Sequence, residues 1–590
     1  MTDAGPLDWT PDGQPRSRLY GDVYFSAEDG LAETRAVFLA GCGLPDAWAG
    51  RRRFVVGELG FGTGLNIAAL LELWRRNRPD GGVLHIFSVE AHPITAREAA
   101  RALSHWPELA QAAGLLIDRW PGRARGMHRV DLPELGAILD LAVMEVEDAL
   151  CGWSGRADAW FLDGFSPALN PAMWLDEVLA LVAARSAPGA RAATFTVAGQ
   201  VRRGLAAAGF VVEKRPGHGR KRERLEARLP GAAGDSPARR VAIIGGGIAG
   251  AAAARAVRAL GGEAVLLEAE GLGAGGSGNP AALVTPRLDA GLGAPAQLFA
   301  QAFARAVALY EAEAPGAILA RGVLQLAGAP RDAERFGRIA ASGLFEPDAL
   351  RMIAADETAR RLGEAGPQAL AQETALALAP ATILEAWAGE VVRAEVREIR
   401  REGAGWVLKG ADGVELRADA VIVAGAMGSA DLADVALTPV RGQASWAQAE
   451  GASAAAWGGY VLPMRTGVLF GATHDRGDTG VEVRASDHAR NLATLGEAMP
   501  GLAARLADVP LQGRAAIRAT TADRLPVAGA TPQGLFLLTG FGSRGFSWAP
   551  LLAEHVAALA VGAPSPLPQP LAALVDPDRF RRRAARRAGS

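Results

Sequence analysis

Two glycine runs, each directly after a short apolar stretch, mark where this chain could grip nucleotides. The first is Glu58-Leu59-Gly60-Phe61-Gly62-Thr63-Gly64, following Phe54-Val55-Val56. The second is Gly245-Gly246-Gly247-Ile248-Ala249-Gly250, following Val241-Ala242-Ile243-Ile244. The second run fits the dinucleotide spacing G-x-G-x-x-G. Gly245 makes the turn, Gly247 admits a pyrophosphate, and Gly250 lets the next helix pack closely. A pyrophosphate there meets a helix N-terminus, where N–H groups and the dipole favour negative charge. The first run, E-x-G-x-G-x-G, has a different spacing and points to a different ligand.

Acids follow both runs. Glu90 ends the apolar run Leu84–Val89, and Glu268 ends Ala264–Leu267. A carboxylate at such a strand end can accept hydrogen bonds from both ribose hydroxyls. Asp148, after Leu139–Met144, is a candidate adenine contact. Asp163 ends the apolar strand Ala157–Leu162 and precedes a turn rich in Gly, Ser, Pro and Asn. Ligands of open α/β sheets lie beyond such strand ends, so Asp163 is a candidate general base. Three features favour FAD over NAD at the second run. They are the small-residue loop Gly273–Asn279 with Ser277, Gly278 and Asn279, a late strand reaching Gly425, and the turn with Gly542, Ser543 and Gly545 before a last helix. The positive end of that helix would suit a reduced, anionic flavin.

These residues need strand–turn–helix units to hold them, and the sequence supplies two series. One runs from Phe54 to Leu229 and the other starts at Val241. With 590 residues the chain exceeds one core, so a nucleotide-binding domain over 1–230, a linker over 231–240 and a second domain over 241–565 are expected. The Pro-rich and then basic segment 566–590 reads as a frayed tail. Net charge is −2, which gives no global pull towards nucleic acid or membrane. No apolar stretch is long enough to span a bilayer, and the N-terminus has no apolar core of a signal peptide. Cys42 and Cys151 show no metal or disulfide spacing. A cytoplasmic, metal-free monomer is the expectation.

The first glycine run resembles motif I of S-adenosylmethionine-dependent methyltransferases. That resemblance places Glu58, Gly60, Gly62, Gly64, Glu90 and Asp148 around the methyl donor, with Asp163 as the base. The segments 24–39, 57–66, 158–174, 193–210 and 218–224 resemble the methyltransferase half of the MnmC family of bifunctional tRNA-modifying enzymes. Phe25, Glu33 and Arg35 lie in a matching segment near the cofactor. A basic run such as His218–Arg224 is usually only a solvated face, but the resemblance makes Arg220, Lys221 and Arg222 candidate tRNA contacts.

The second half resembles the D-amino-acid oxidase/glycine oxidase superfamily, and the oxidase half of the same family. The resemblance implies FAD held by Gly245, Gly247, Gly250, Glu268, Ser277, Gly278, Asn279, Gly425, Gly542, Ser543 and Gly545. It also implies an inserted α+β substrate subdomain over about 325–515, with Arg518 and Arg544 on a substrate carboxylate. Asn279-Pro280-Ala281-Ala282 departs from the Gln-containing sequence usual there. The fold expected is α/β throughout: a Rossmann-like methyltransferase domain, then an FAD-binding Rossmann domain with its insert. The chemistry implied is FAD-dependent removal of a carboxymethyl group from a wobble uridine in the tRNA anticodon stem-loop, then N-methylation. Two other readings stay open: a small-molecule amine oxidase fused to an amine methyltransferase, and a non-catalytic RNA-binding scaffold.

Overall fold

A computed structural model describes residues 6–25, 29–218, 222–232, 234, 239–449 and 451–588. The described residues form two compact units. The first takes in Met1–Ala238 with Pro564–Gln569, and the second Arg239–Ala563 with Pro570–Ser590.

The first unit is built on an eight-stranded sheet. Its spatial order is Gly126–Leu132, Ala137–Val143, Val83–Val89, Arg53–Leu59, Ala157–Leu162, Ser186–Thr194, Glu223–Arg228, Val211–Pro216. The five strands from Ala137–Val143 to Ser186–Thr194 run parallel, and both edges are antiparallel. The parallel strands read as unbroken apolar runs because both faces are covered. Alternate side chains feed two cores. Phe54, Val56, Leu84 and Ile86 join Leu70 and Trp74 on one face. Val55, Leu59, Phe87 and Val89 join Trp153 and Trp160 on the other. The chain enters mid-sheet at Arg53–Leu59, builds outwards through Val83–Val89, and later returns to Ala157–Leu162 on the other side. That reversal leaves a crevice between the C-terminal ends of Arg53–Leu59 and Ala157–Leu162, the expected ligand position of a doubly wound sheet.

The second unit holds a six-stranded sheet ordered Val391–Arg393, Glu263–Glu268, Arg240–Ile244, Ala420–Val423, Phe536–Thr539, Val527–Ala530. Its first strand starts at Arg240, inside the stretch expected to be linker. Residues 233 and 235–238 of that linker lie outside the described residues. A mixed ten-stranded sheet, with Ile318–Leu326, Ala369–Leu378, Thr438–Ala447 and Gln512–Thr520 among its strands, forms the second layer. The single insert expected over 325–515 needs correction. Val391–Arg393 and Ala420–Val423 belong to the nucleotide sheet, so the inserted layer is interrupted. A three-residue strand such as Val391–Arg393 carries no local sign of which sheet it will join.

Helix Gly545–Val561 is apolar nearly all round and buried, packing against Ile248–Ala259 and Ala294–Glu313. The charge it carries inward, Glu554, receives Arg255 Nη1 at 2.7 Å and Arg305 Nε at 2.9 Å. The frayed tail is also corrected. Pro564 O accepts a hydrogen bond from Arg129 Nη2 at 3.2 Å, and Leu567 is buried. Beyond it, Gln569–Val575 and Arg579–Ala588 are helical. Arg579 is buried and reaches Asp523 with Nε at 3.0 Å and Nη2 at 3.1 Å. A basic segment orders here because its arginines meet carboxylates: Arg583 also reaches Asp523, at 2.6 Å. Against the burial that raises it, these two arginines bring the Asp523 carboxyl down to about 2.

Candidate functional site

In the first unit the strand Arg53–Leu59 ends on Gly60, whose N–H donates to Val89 O at 3.0 Å. Gly60, Gly62 and Gly64 all stand at positive φ, 90°, 52° and 77°, where glycine is unstrained. The loop must also be slim. A Cβ on Gly60 would lie 3.3 Å from Gly164, next to Asp163. The two strand ends thus meet backbone to backbone across the crevice. Together they open on a cavity of about 590 Å³ lined by Gly60, Gly62, Glu90, Asn66 and Asp163, with Tyr24 and Phe165 also on its wall.

Glu90 sits at its rim with both oxygens occupied. Oε2 accepts Gly62 N–H at 3.0 Å and Oε1 accepts His92 N–H at 2.9 Å. Burial pushes this carboxyl up, opposed by the His92 and Gly62 hydrogen bonds. Asp163 Oδ2 accepts Asn66 Nδ2 at 2.7 Å and Oδ1 accepts Gly164 N–H at 2.8 Å. Phe165 carries two aromatic partners, Tyr20 at 4.9 Å and Tyr24 at 5.2 Å between ring centroids. These rings form an apolar wall suited to a flat base.

Four residues placed at the methyl donor by resemblance do not line this cavity: Gly64, where a Cβ would meet Trp120 at 3.0 Å, and Glu58, Asp148 and Arg35. Glu58 shares the strand face of Phe54 and Val56, as a period of two requires, and is fully buried. Ser88 Oγ donates to it at 2.5 Å. Burial, resisted by Ser88 and reinforced by nearby Asp163, pushes its carboxyl up to about 8. Asp148 is exposed on helix Val146–Gly152. Glu145 and Met144, just before that helix, line the cavity instead. The missed signal was position: Glu145 is the first acid after the strand Ala137–Val143. Arg35 points to Glu108 at 3.5 Å, whereas Phe25 and Glu33 do line the cavity. Of the basic run, Arg222 is exposed; Arg220 and Lys221 lie outside the described residues.

In the second unit Gly245, at φ 113°, is pressed against the end of strand Ala420–Val423: a Cβ would come 2.9 Å from Gly425. Gly247 caps helix Ile248–Ala259 in an ordinary extended conformation. Its Cβ would meet Ser277 Oγ at 3.2 Å. Ser277 Oγ accepts Ile248 N–H at 3.0 Å, an N–H at the helix start. A Cβ on Gly250 would sit 1.8 Å from Gly245 O. Glu268 accepts the Gly246 N–H on Oε2 and Glu270 N–H on Oε1 at 2.9 Å.

The loop bearing Ser277, Gly278 and half-buried Asn279 is braced by Arg514, which reading of the sequence missed. Its Nη2 donates to Ala274 O at 2.6 Å and Gly275 O at 2.7 Å. Gly542 N–H donates to Ala519 O at 2.9 Å, Ser543 is exposed, and Gly545 opens helix Gly545–Val561 against Ile248. Arg518 lies over Gly442, where a Cβ would meet its Cζ at 2.2 Å, and donates from Nη1 to Thr473 O at 3.1 Å. Arg544 donates to Thr285 Oγ1 at 3.1 Å; burial, then Arg287, brings its guanidinium down to about 10. Thr285 thus already holds part of this side chain.

Each half matches a protein class. Residues 107–230 match the family described as S-adenosyl-L-methionine-dependent methyltransferase, and residues 240–559 match FAD dependent oxidoreductase. The cofactors are therefore S-adenosylmethionine and FAD. The residues present suit both: a cavity with a slim glycine wall in one unit, and in the other a helix start where Gly247 leaves room beside Ser277. A tRNA 5-methylaminomethyl-2-thiouridine biosynthesis bifunctional protein MnmC from Caulobacter vibrioides is 62% identical, over 98% of each chain. Its counterpart from Maricaulis maris is 45% identical, over 100% of this chain and 98% of that one. This chain belongs to the MnmC family. An L-proline dehydrogenase structure from P. horikoshii shares the second unit's fold at TM-score 0.52 and 18% identity, covering 58% of this chain and 98% of that one. Among the described residues, no helix is long and apolar enough to cross a membrane.

Proposed function

We propose that the chain modifies the wobble uridine of tRNA in two steps, the second unit acting before the first. Bound FAD would supply a hydride acceptor, and bound S-adenosylmethionine would supply the methyl group and leave as S-adenosylhomocysteine. In the second unit Arg518 holds the carboxylate of a 5-carboxymethylaminomethyl group through its planar fork, with Arg544 as the second candidate. Loss of two hydrogens converts the C–N bond to C=N; water adds, the bond breaks, and glyoxylate leaves an aminomethyl group on the base. In the first unit Asp163 takes the proton from that amine as the new N–C bond forms. Glu90 holds the ribose hydroxyls of the methyl donor, and Glu145 replaces Asp148 as the acid on the adenine side. Phe165, with Tyr20 and Tyr24, stacks the uracil ring. Arg220, Lys221 and Arg222 meet the anticodon stem-loop phosphates. The protein works in the cytoplasm as a monomer without a metal.

The observation that carries this reading is the placement of Asp163. It directly follows the strand Ala157–Leu162 at the crevice of the sheet, touches the Gly60 turn through Gly164, and lines the same cavity as Glu90. The test is mass analysis of tRNA nucleosides after incubation with the protein, with and without S-adenosylmethionine. The expected result is loss of the carboxymethylaminomethyl nucleoside in both cases, with aminomethyl accumulating only when the methyl donor is withheld. If tRNA is untouched while free glycine or sarcosine is oxidised, the small-molecule reading replaces this one.

A further inference from the structure

We propose that Asn66, locked by Thr34, is a positioning residue that aims the Asp163 carboxylate at the amine. This rests on the reading of Asp163 as the methyltransferase base. Asn66 stands in the first turn of helix Leu65–Asn77, directly after the glycine loop, and is 7% exposed. Its Nδ2 donates to Asp163 Oδ2 at 2.7 Å, and its Oδ1 accepts the Thr34 hydroxyl at 2.8 Å. An ionised carboxylate only accepts, so only the NH₂ end of the amide can face it. The flipped amide would set its oxygen against the carboxylate oxygen; in the observed one Oδ1 accepts the Thr34 hydroxyl, which tethers the far end of the amide. Gly164 N–H takes the remaining oxygen at 2.8 Å. The carboxylate is therefore held at both oxygens by donors from two segments, and its plane is fixed before substrate arrives.

Thr34 closes the short helix Gly30–Thr34, whose start is capped by Asp29. The chain thus runs from that helix, through the glycine-loop helix, to the strand end at Leu162. Neither Asn66 nor Thr34 has to touch the reacting atoms for this to matter. A displacement of about 1 Å at a reacting group can cost about a hundredfold in rate.

The test measures methyl transfer to tRNA bearing the aminomethyl nucleoside, and S-adenosylmethionine affinity by calorimetry, in the full-length protein. Asn66→Ala is expected to lower kcat about 30- to 100-fold, with the methyl-donor Kd within about threefold of wild type. Thr34→Val is expected to lose about tenfold, and Thr34→Ser, which keeps the hydroxyl, to retain most activity. Flavin-dependent activity of the same preparations is expected to stay unchanged. In an Asp163→Asn background, Asn66→Ala is expected to add nothing, because its target is already gone. Equal losses in kcat and methyl-donor affinity would overturn the proposal, since Asn66 would then bind the donor. So would additive losses in the double variant, or wild-type rates for Asn66→Ala beside an inactive Asp163→Asn. If Asp163→Asn itself keeps the wild-type rate, it is the base assignment that fails.

Discussion

In the Gly60–Gly64 loop all three glycines stand at positive φ, while of Gly245, Gly247 and Gly250 only Gly245 does. The first loop uses glycine mainly for conformation, and the second mainly for space. A Cβ on Gly62 would press on the movable ring of Tyr24 at 3.1 Å, with the Gly60 oxygen at 4.0 Å; one on Gly250 would sit 1.8 Å from a backbone oxygen. The acids, by contrast, are held alike. Glu90 and Glu268 each accept one N–H from a loop glycine, Gly62 or Gly246, and one from the residue two positions on. Two loops of different spacing thus arrive at one way of holding a carboxylate. What differs is the helix that follows: in the second loop Ser277, from another segment, accepts the first helical N–H, that of Ile248, at 3.0 Å, whereas helix Leu65–Asn77 starts on Gly64, which has no side chain to cap it.

The contrast makes its largest prediction at Gly250. Gly250→Ala is expected to abolish flavin binding, read as loss of the flavin absorbance, while methylation of aminomethyl-tRNA continues. Gly62→Ala, which faces a left-handed conformation costing about 1–2 kcal/mol, is expected to weaken S-adenosylmethionine only about tenfold. Equal effects at the two positions would erase the distinction between space and conformation. Next come the acids. Glu90→Gln and Glu268→Gln are each expected to weaken their own cofactor about 10- to 100-fold and leave the other untouched. Affinities for both cofactors, measured in both variants, check this.

A smaller effect is expected from the acid under the first loop. Folded protein holds the Glu58 proton up to about pH 8, whereas an unfolded glutamate releases it near its ordinary value of 4.5. Across that window the folded state is the richer in protons, so stability falls as pH rises through it. Below the window the contribution is flat. Glu58→Gln is expected to remove this slope, so its melting temperature relative to wild type climbs between pH 5 and 8 by on the order of several degrees. A parallel pair of curves would contradict it. Smallest of all, Asp148→Ala is expected to change methyl-donor affinity less than about twofold, and Glu145→Ala several times more.

Much of this was legible in the sequence because it is local. A strand, a glycine turn, a helix and an acid at the next strand end are neighbours along the chain. The place of Asp163 beside the cavity was legible for the same reason, since it directly follows an apolar run and precedes a turn. Glu58 misled because its motif position says nothing of strand face, and a period of two turns it under the helix. Asp148 misled because the helix starts two residues before it. Asn66, Thr34 and Arg514 were not legible, since each acts on a partner tens to hundreds of residues away. The interrupted insert and the return of Pro564–Gln569 to the first unit were hidden for the same reason.

The central claim is that two separate sites in one chain act in the order opposite to their order in the sequence. The most direct measurement treats carboxymethylaminomethyl-tRNA with two single-site variants in succession, removing each before adding the next, with both cofactors present throughout. Asp163→Asn followed by Gly250→Ala is predicted to yield the methylaminomethyl nucleoside, and the reverse order to stop at aminomethyl. Methylaminomethyl nucleoside from the reverse order, or none from the forward order, would contradict the account.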